Sequence, residues 1–432
     1  MAISTSEGST GIKKGRVQQV TRRVVVTGMG AVTPLGLTVA ETWAGLVAGR
    51  SGVARITQFD ASSYPVRIAG EVKGFDPTKF IDLKEARRIA RCSLLAIAAG
   101  AEAMADAGLG TGAPEPERSG VVMGVAAGGL EMAFAGYDVL RSRGLSRVSP
   151  FALLGSVANM PAHHVGLVFQ CLGHSATIST ACASSTQAIG EAAEAIRRGA
   201  ADLILAGGAD SFINELSLAS FVVMRALATD NEHPETACKP FDLRRDGFVT
   251  SEGSAILVLE ALEHALDRGA RIYAEILGGA STTDGFHVAQ PDPEGRGAAR
   301  AIRDALQSAG ISAEEVDYIN THGPGTPLGD ASETRAVKAV FGEHAYRIPL
   351  NSTKSMIGHA YGAAGAIEAV VCIKQMVEGI LHPTINLEVP DPECELDYVP
   401  NQARPADVHT VLSNSFGLGG QNASLVMRRY RP

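Results

Sequence analysis

Residues 178–185 read Ile-Ser-Thr-Ala-Cys-Ala-Ser-Ser and lead directly into an Ala-rich stretch that ends near residue 198. The apolar side chains of that stretch recur at i, i+3, i+4 and i+7, which predicts a helix with one buried face. They are Ile189, Ala192, Ala193 and Ile196. The residues before the small-residue turn predict a strand, so residues 174–198 form a strand–turn–helix unit. Residues 348–378 repeat this plan, which indicates two similar halves that face each other.

Strand-like and helix-like stretches alternate along the rest of the chain. Short apolar strands are predicted at residues 22–28, 120–124, 201–207, 254–259, 316–320 and 411–413. Ala-rich helices are predicted at residues 87–107, 186–198, 297–309 and 363–378. This alternation predicts an α/β fold with a largely parallel or mixed sheet between layers of helices.

The first predicted strand runs into Gly28-Met29-Gly30, which resembles the opening of a dinucleotide fingerprint. The third glycine of that fingerprint would fall at position 33, which is Thr33, and Pro34 follows. A broken Gly-x-Gly pattern is weak evidence for nucleotide binding. We therefore interpret these glycines as a tight turn after a core strand.

The chain has 432 residues, of which 45% are hydrophobic and 19% are charged. This suits two or three domains or one large duplicated domain, and it excludes a disordered or collagen-like chain. The net charge of -8 includes no concentrated basic block, so nucleic-acid binding is not expected. No apolar run approaches the ~20 residues of a membrane span, and the polar N-terminus lacks a signal-peptide pattern. We expect a soluble, cytoplasmic protein whose residues 1–21 form a flexible tail.

The six cysteines are scattered and none forms a Cys-x-x-Cys pair, which favours free thiols over disulfides or a zinc site. Cys182 differs from the others because it lies at the strand-to-helix turn. The unpaired N–H groups at a helix N-terminus favour a thiolate, which is the nucleophilic form. On this motif alone, a buried structural cysteine is an equally good interpretation.

Two histidines stand where predicted strands end, the edge at which α/β sheets gather their ligands. His322 follows the strand at 316–320 and opens a glycine-rich loop, and His359 lies five residues after Lys354. A core or loop role for the histidines and a surface position for the lysine stay open. Residues 413–422 add a glycine-rich turn, which is either an ordinary hairpin or a set of backbone N–H groups that stabilise an oxyanion.

Four blocks taken together resemble the signature sequences of the β-ketoacyl-[acyl carrier protein] synthases, and the elongating type II in particular. These blocks are residues 180–182, 322–323, 354–359 and 414–417. Residues 239–248 and 386–392 also match, so the similarity extends from about residue 22 to residue 430. It implies a thiolase-like, five-layered αβαβα fold made of two similar halves, residues 22–270 and 271–432. The resemblance also implies a homodimer.

The reaction implied by the resemblance is a decarboxylating Claisen condensation. An acyl chain passes from an acyl carrier protein to Cys182, malonyl-carrier loses its carboxylate, and the resulting carbanion attacks the acyl thioester. The product is a 3-oxoacyl-carrier that is two carbons longer. The implied partners are therefore an acyl carrier protein and acyl and malonyl thioesters. No cofactor is required, because the phosphopantetheine arrives on the substrate.

The resemblance assigns catalytic roles at single positions. Cys182 is the nucleophile, and His322 and His359 stabilise the enolate. The backbone N–H groups of Cys182 and Phe416 form the oxyanion hole. A histidine at position 359 favours chain elongation, since initiating synthases resemble a Cys-His-Asn arrangement and thiolases use a second cysteine.

Supporting roles follow from the same resemblance. Lys354 holds the geometry of the site and Glu333 fixes Lys354, although Asp330-x-x-Glu333 also fits a capping box that opens a helix. Thr326 and Leu418 border the pantetheine and acyl pocket. A structural sodium or potassium ion is expected at Asn320, Glu368, Ser413 and Asn414.

Three positions depart from the family pattern. Pro324 lies where the family carries a threonine that contacts pantetheine, Leu418 replaces an aromatic side chain that gates the acyl pocket, and Gln421 replaces a threonine. The leading interpretation is fatty-acid elongation, and a ketosynthase of a polyketide or specialised lipid pathway is the alternative. A non-catalytic partner subunit of the chain-length-factor type is disfavoured, because such subunits lack the nucleophile.

Overall fold

The computed structural model describes residues 22–431, so the tail predicted at residues 1–21 lies outside the described residues. The strands of this part of the chain are β1 (Val24–Val32), β2 (Val53–Arg55), β3 (Ile68–Gly70), β4 (Ser119–Gly124), β5 (Ser175–Ile178), β6 (Leu203–Ser211), β7 (Glu252–Ala261), β8 (Ala274–Thr283), β9 (Tyr318–Asn320), β10 (Leu350–Asn351), β11 (Ile380–Leu381), β12 (Arg404–Pro405), β13 (Thr410–Gly417) and β14 (Gln421–Arg429).

The α-helices are α1 (Val39–Val47), α2 (Leu83–Ala86), α3 (Arg91–Asp106), α4 (Leu130–Arg143), α5 (Phe151–Leu154), α6 (Met160–Phe169), α7 (Ser184–Arg197), α8 (Glu215–Val223), α9 (Leu262–Asp267), α10 (Arg296–Ala309), α11 (Pro327–Phe341), α12 (Lys354–Ile357) and α13 (Ala364–Glu378). Short 3₁₀ turns at Ala181–Ala183 and Tyr361–Ala363 precede α7 and α13. Each predicted core strand and helix is present, with its ends displaced by a few residues.

Ten strands form one mixed sheet with two halves of the same topology. The order is β5-β4-β6-β7-β1 in one half and β10-β9-β13-β14-β8 in the other. In each half the first three strands are parallel to one another. The fourth strand is antiparallel to both of its neighbours, the third and the fifth. The halves meet where β1 pairs with β8, at Val25 with Glu275 and Val26 with Ala274. This confirms the duplication that the sequence indicates.

Helices cover both faces of each half-sheet and create five layers. Helices α3 and α6 pack on one side of the first half, and α10, with α11 packed against it, covers the second half. Helices α7 and α13 contact each other and lie between the half-sheets, because each contacts strands of both. The predicted apolar face of α7 is fully buried in this middle layer. The fold is therefore the αβαβα arrangement that the resemblance implies.

The glycines of the first strand do not form a turn, so that prediction is wrong. Gly28 and Gly30 lie inside β1, which continues to Val32. A Cβ on Gly30 would lie 1.9 Å from the carbonyl oxygen of Ala99, and one on Gly28 would lie 2.3 Å from that of Ala103. These residues are glycines because α3 packs directly on the strand backbone.

No helix within residues 22–431 is both long enough and apolar enough to cross a membrane. All six cysteines are free thiols, and only Cys171 is not fully buried. The predicted boundary between the halves, residues 270 and 271, falls in the connection between α9 and β8. The two halves share one continuous sheet, so they are repeats within one body.

Candidate active site

The nucleophile candidate sits on a tight turn between β5 and α7. Ala181 adopts a left-handed backbone conformation with a φ of 50°, and Cys182 follows in the 3₁₀ turn. The Ser184 hydroxyl holds this turn, because it donates to the carbonyl of Ala181 (2.6 Å) and accepts from the N–H of Thr180 (2.9 Å). The turn therefore places a buried cysteine just before the N-terminus of a buried helix.

The two predicted histidines lie beside this cysteine. The Sγ atom of Cys182 and one ring nitrogen each of His322 and His359 all lie within 4.8 Å of one another. The ring centroids of the histidines are 5.2 Å apart, and all three side chains are buried. His322 follows β9 and His359 follows β10 and α12, so the ends of neighbouring strands bring together residues that are far apart in sequence.

Burial controls the ionisation of Cys182. It raises the pKa of the thiol to about 11, although the backbone N–H of Leu418 and the positive charge of Lys354 favour the thiolate. In the free chain the loss of hydration therefore outweighs the electrostatics that favour the thiolate. At neutral pH the resting side chain is a thiol.

Both histidines are neutral at physiological pH. Burial first, and then the charge of Lys354, holds the pKa of each well below its ordinary value. The N–H of Tyr361 donates to Nδ1 of His359 (3.1 Å), so the neutral ring carries its proton on Nε2. That Nε2 atom has no hydrogen-bond partner among residues 22–431. His359 therefore presents a free donor to the reaction site.

Lys354 is fully buried and pairs with Glu368, not with Glu333 as expected. The carboxylate of Glu333 instead accepts the backbone N–H groups of His322 (2.9 Å) and Gly323 (2.8 Å). Burial raises the pKa of both Glu333 and Glu368 to about 7. Glu333 thus fixes the loop that carries His322, and Glu368 fixes the lysine.

The capping-box interpretation of Asp330 and Glu333 is also wrong. Helix α11 begins at Pro327, and its cap is Thr326, whose side chain accepts from the N–H of Gly329 (3.2 Å). Proline at the first helical position favours this earlier start. Asp330 lies in the first turn of α11 and accepts from the backbone N–H groups of Phe241 and Gly325. The second of these contacts supports the loop that His322 opens.

A cavity of about 470 Å³ leads to the three side chains. Its lining includes Thr326, Pro324, Phe416 and Leu418, together with Cys182 and both histidines. Leu418 is 39% exposed at this cavity. Close approach of β13 requires Gly417, since a Cβ there would lie 2.9 Å from the backbone nitrogen of Cys182.

The four residues expected to hold a monovalent cation divide into two groups. Asn320 Oδ1, Glu368 Oε2 and Ser413 Oγ are buried and have no hydrogen-bond partner in the described part of the chain. The side chain of Asn414 is already engaged, since it accepts from Ser424 (2.8 Å) and donates to Glu333 (3.4 Å). Oxygen atoms of this kind are the ligands that hard cations prefer.

Sequence reasoning missed three residues that shape the site. Glu368 entered only as a cation ligand, and no spacing signal links it to Lys354. Tyr361 lines the cavity beside His359. Asp210 is buried at the end of β6 and accepts from four backbone N–H groups, those of residues 126, 127, 128 and 362. Burial raises its pKa to about 6. These contacts join distant segments, so a local pattern could not reveal them.

The comparisons with known proteins agree with this geometry. The Beta-ketoacyl synthase N-terminal domain matches residues 21–265, and the C-terminal domain matches residues 273–388. The chain is 47% identical to a 3-oxoacyl-[acyl-carrier-protein] synthase 2 of Synechocystis sp., over 95% of this chain and 99% of the relative. A solved beta-ketoacyl synthase from Burkholderia phymatum is 39% identical, with a TM-score of 0.88 and coverage of 95% of this chain and 100% of that one.

A second solved structure contains a type II PKS acyl-carrier protein in complex with its ketosynthase bound to the hexaketide. Its matching chain is 36% identical, with a TM-score of 0.86 and coverage of 95% of this chain and 100% of that one. The two domain matches together span more than half of the sequence. The chain therefore belongs to the beta-ketoacyl synthase family.

Proposed function

We propose that this chain is an elongating β-ketoacyl-[acyl carrier protein] synthase of fatty-acid synthesis. The observation that carries the proposal is the buried group of one cysteine and two neutral histidines within 4.8 Å. The thiol of Cys182 accepts the acyl chain, and the two uncharged imidazoles donate hydrogen bonds to the substrate. The Synechocystis relative bears the name of the same activity.

In the first half-reaction, the sulfur of Cys182 attacks the thioester carbonyl of acyl-carrier. The carrier's thiol leaves, the acyl chain stays on Cys182, and the cysteine proton ends on the departing pantetheine sulfur. The oxyanion is held by the backbone N–H of Cys182 and by a second N–H from the end of β13. The N–H of Leu418, which reaches the Cys182 side chain, fits this role better than that of Phe416, and each such donor contributes about 3 kcal/mol. A Cβ on Gly417 would lie 2.9 Å from the backbone nitrogen of Cys182, so the end of β13 passes close to that nitrogen.

In the second half-reaction, malonyl-carrier occupies the same cavity. The bond to its carboxylate breaks, carbon dioxide leaves, and the electron pair forms an enolate at the thioester carbonyl. The free Nε2–H of His359, together with His322, donates to that enolate oxygen. The carbanion then attacks the acyl thioester on Cys182, the C–S bond breaks, and the thiolate returns. Neutral histidines suit this step because they donate hydrogen bonds and leave the enolate unprotonated.

Lys354 acts through its charge and not through proton transfer. Its pairing with Glu368 fixes a positive charge beside both imidazoles and so keeps them neutral.

We also propose that a structural sodium or potassium ion binds at Asn320, Glu368 and Ser413, with Asn414 nearby. The support is the three buried oxygens that lack a partner. Such an ion would neutralise the outer oxygen of Glu368.

The proposed partner is an acyl carrier protein, which the solved ketosynthase complex also contains. Arg225 is exposed at the cavity and offers a cationic contact for an acidic carrier or its phosphate.

We further propose a homodimer formed at the open edge of β5. Two exposed leucines lie next to that edge strand, Leu167 on α6, which contacts β5, and Leu172, three residues before β5. A cytoplasmic location completes this proposal.

The proposal is tested by intact mass spectrometry with acyl-carriers of several lengths, followed by malonyl-carrier. We expect an acyl adduct that is absent in Cys182→Ala, then release of carbon dioxide and a 3-oxoacyl-carrier longer by two carbons. An unmodified wild-type protein with every carrier, from a correctly folded sample, would contradict the proposed activity.

A polyketide ketosynthase is the second candidate, which the loss of the aromatic gate at Leu418 and of a hydroxyl at Pro324 favours. The same assay separates the candidates when no reductase is added. A fatty-acid enzyme stops after one extension, whereas a polyketide enzyme adds several malonyl units to the unreduced chain. Products extended by four or more carbons would therefore support the second candidate.

A further inference from the structure

The backbone of His359 is fixed by a segment of the N-terminal half. Its N–H donates to the carbonyl of Val249 (2.8 Å), and its carbonyl accepts from the N–H of Ser251 (3.0 Å). Residue 250 lies between these two contacts. The segment at 249–251 thus holds the main chain of a histidine that is more than 100 positions away.

The imidazole ring of His359 is fixed mainly by Tyr361. The two rings are stacked, with centroids 5.3 Å apart and an interplanar angle of 19°. Phe248 also contacts the imidazole in an edge-to-face arrangement, with centroids 5.5 Å apart and an interplanar angle of 74°. The backbone N–H of Tyr361 also donates to Nδ1 of the imidazole. Tyr361 therefore controls both the orientation and the protonated nitrogen of the histidine.

Tyr361 makes these contacts from an unfavourable backbone conformation. Its φ is 50°, in the left-handed region that residues with a side chain adopt only where their surroundings impose it. Its hydroxyl is hydrogen-bonded to Oγ1 of Thr250 (2.7 Å), and its ring stacks on Phe221 with centroids 5.6 Å apart. Both Thr250 and Tyr361 are buried. The side chain is thus anchored at its tip by the segment that also holds the backbone of His359.

We propose that Thr250 and Tyr361 are a positioning pair for His359. Their hydroxyl–hydroxyl contact anchors the Tyr361 side chain against the imidazole, and the left-handed backbone of the turn directs the Tyr361 N–H at Nδ1. The proton of His359 then stays on Nε2, facing the cavity. The catalytic consequence rests on the proposed function: faster decarboxylation of malonyl-carrier, with no effect on the transfer of the acyl chain to Cys182.

The activity test compares Thr250→Val and Tyr361→Phe with Thr250→Ser, which keeps the hydroxyl. Acyl loading is followed by intact mass, and release of carbon dioxide from malonyl-carrier is measured separately. Loading should stay within about twofold of wild type, because His359 acts in the second half-reaction. The kcat for carbon dioxide release should fall about three- to tenfold in the first two variants, at an unchanged KM, as expected for one lost hydrogen bond. Thr250→Ser should behave as wild type.

Two further comparisons isolate the mechanism. The double variant Thr250→Val/Tyr361→Phe should be no slower than the slower single variant, since both changes remove one shared contact. Tyr361→Gly should release carbon dioxide faster than Tyr361→Ala, because both lack the ring but only glycine adopts a positive φ freely. Equal rates for Tyr361→Gly and Tyr361→Ala would contradict the role of the backbone conformation.

A readout that is independent of activity is the ¹⁵N-histidine NMR spectrum of the full chain, with His359→Asn used to assign the signal. Wild type should show one neutral form of His359, protonated on Nε2, and Thr250→Val should show a mixture of both neutral forms.

The pairing proposal is overturned if Thr250→Val and Tyr361→Phe keep the wild-type spectrum and the wild-type rate of carbon dioxide release. It is also overturned if loading slows by the same factor as decarboxylation. A wild-type chain that releases no carbon dioxide would contradict the proposed function, while the spectrum would still decide on the pair.

Discussion

At the scale of single residues, the reactivity of Cys182 depends on a balance between burial and nearby charge. Burial raises the pKa of its thiol to about 11, and the N–H of Leu418 and the charge of Lys354 oppose that shift only in part. The resting side chain is therefore a thiol, and its proton has to leave during acyl transfer. The thiol form protects the nucleophile from oxidation between turnovers, since oxidation requires the thiolate.

We predict that alkylation of free Cys182 by iodoacetamide is slow at neutral pH. The thiolate is the reacting form, so the rate should rise about tenfold per pH unit from pH 7 to pH 10, below the pKa. Intact mass spectrometry measures the rate, and Cys182→Ala identifies the signal from the remaining thiols. A rate that is already at its plateau at pH 7 would show that Cys182 is a thiolate in the free chain.

Leu418 provides a second prediction at this scale. Leucine is smaller than the aromatic residue of the family pattern, so Leu418→Phe should narrow the cavity beside Cys182. Loading of the longest acyl chains should slow about tenfold relative to short chains, measured by intact mass after mixing with acyl-carriers. The control is Leu266→Phe, since Leu266 is exposed on α9 and lies outside the cavity lining. An unchanged chain-length profile would contradict a gating role of Leu418.

At the scale of secondary-structure elements, the duplicated plan is used for two different tasks. The turns Ala181–Ala183 and Tyr361–Ala363 occupy matching places before α7 and α13, and the first residue of each has a φ of 50°. The central position is Cys182, the proposed nucleophile, in one turn and Gly362 in the other. The N–H of Gly362 donates to Asp210 (2.7 Å), so the second turn became a structural anchor.

The packing of α3 on β1 gives a prediction for stability. Gly30→Ala should lower the free energy of unfolding by about 2 kcal/mol, because the added methyl group overlaps the carbonyl of Ala99 and must displace the helix. Denaturant unfolding measures this. Gly190→Ala in α7 is the matched control, since the nearest atom to its new Cβ would lie 4.0 Å away, and it should be neutral or slightly stabilising. Equal stability of both variants would contradict the packing argument.

At the scale of the whole molecule, the site exists only where the halves meet. The proposed nucleophile Cys182 belongs to the first half, and both histidines and Lys354 belong to the second. Hydrogen bonds between the halves hold this arrangement. The hydroxyls of Thr186 and Ser415 are hydrogen-bonded to each other (2.7 Å), and the N–H of Ala366 donates to the Ser185 hydroxyl (2.8 Å). Neither half can assemble the chemistry alone.

The open edge of β5 leads to a prediction about assembly. An exposed edge strand flanked by apolar side chains is a surface that a second copy can cover. We expect a homodimer by analytical ultracentrifugation, and Leu172→Asp should convert it into a monomer, since Leu172 is 69% exposed next to this edge. Leu266→Asp, on a distant exposed leucine, should leave the dimer intact. A wild-type monomer would contradict the proposed dimer.

The prediction of fold and site from sequence succeeded where the signal was local. The periodic apolar face of α7 and the repeated strand–turn–helix plan led to the correct class and the duplication. The turn at Gly28, the capping box at Asp330 and the pairing of Glu333 with Lys354 were wrong. The first and the third depended on a neighbour from another segment, α3 for the glycine and Glu368 for the lysine. The second was a local error, since Pro327 already favours an earlier helix start.

The sequence by itself determined the α/β class, the two repeated halves and the residue types of a cysteine–histidine–histidine site. The first two features follow from periodicity and from the repeated strand–turn–helix plan, and the third follows from the resemblance of four short blocks to the ketosynthase signatures. Only the tertiary structure decided that burial makes the thiol and both imidazoles neutral, that Lys354 pairs with Glu368, and that Tyr361 orients His359. Desolvation and hydrogen bonds between distant segments depend on which surfaces meet, and no local stretch of sequence contains that information.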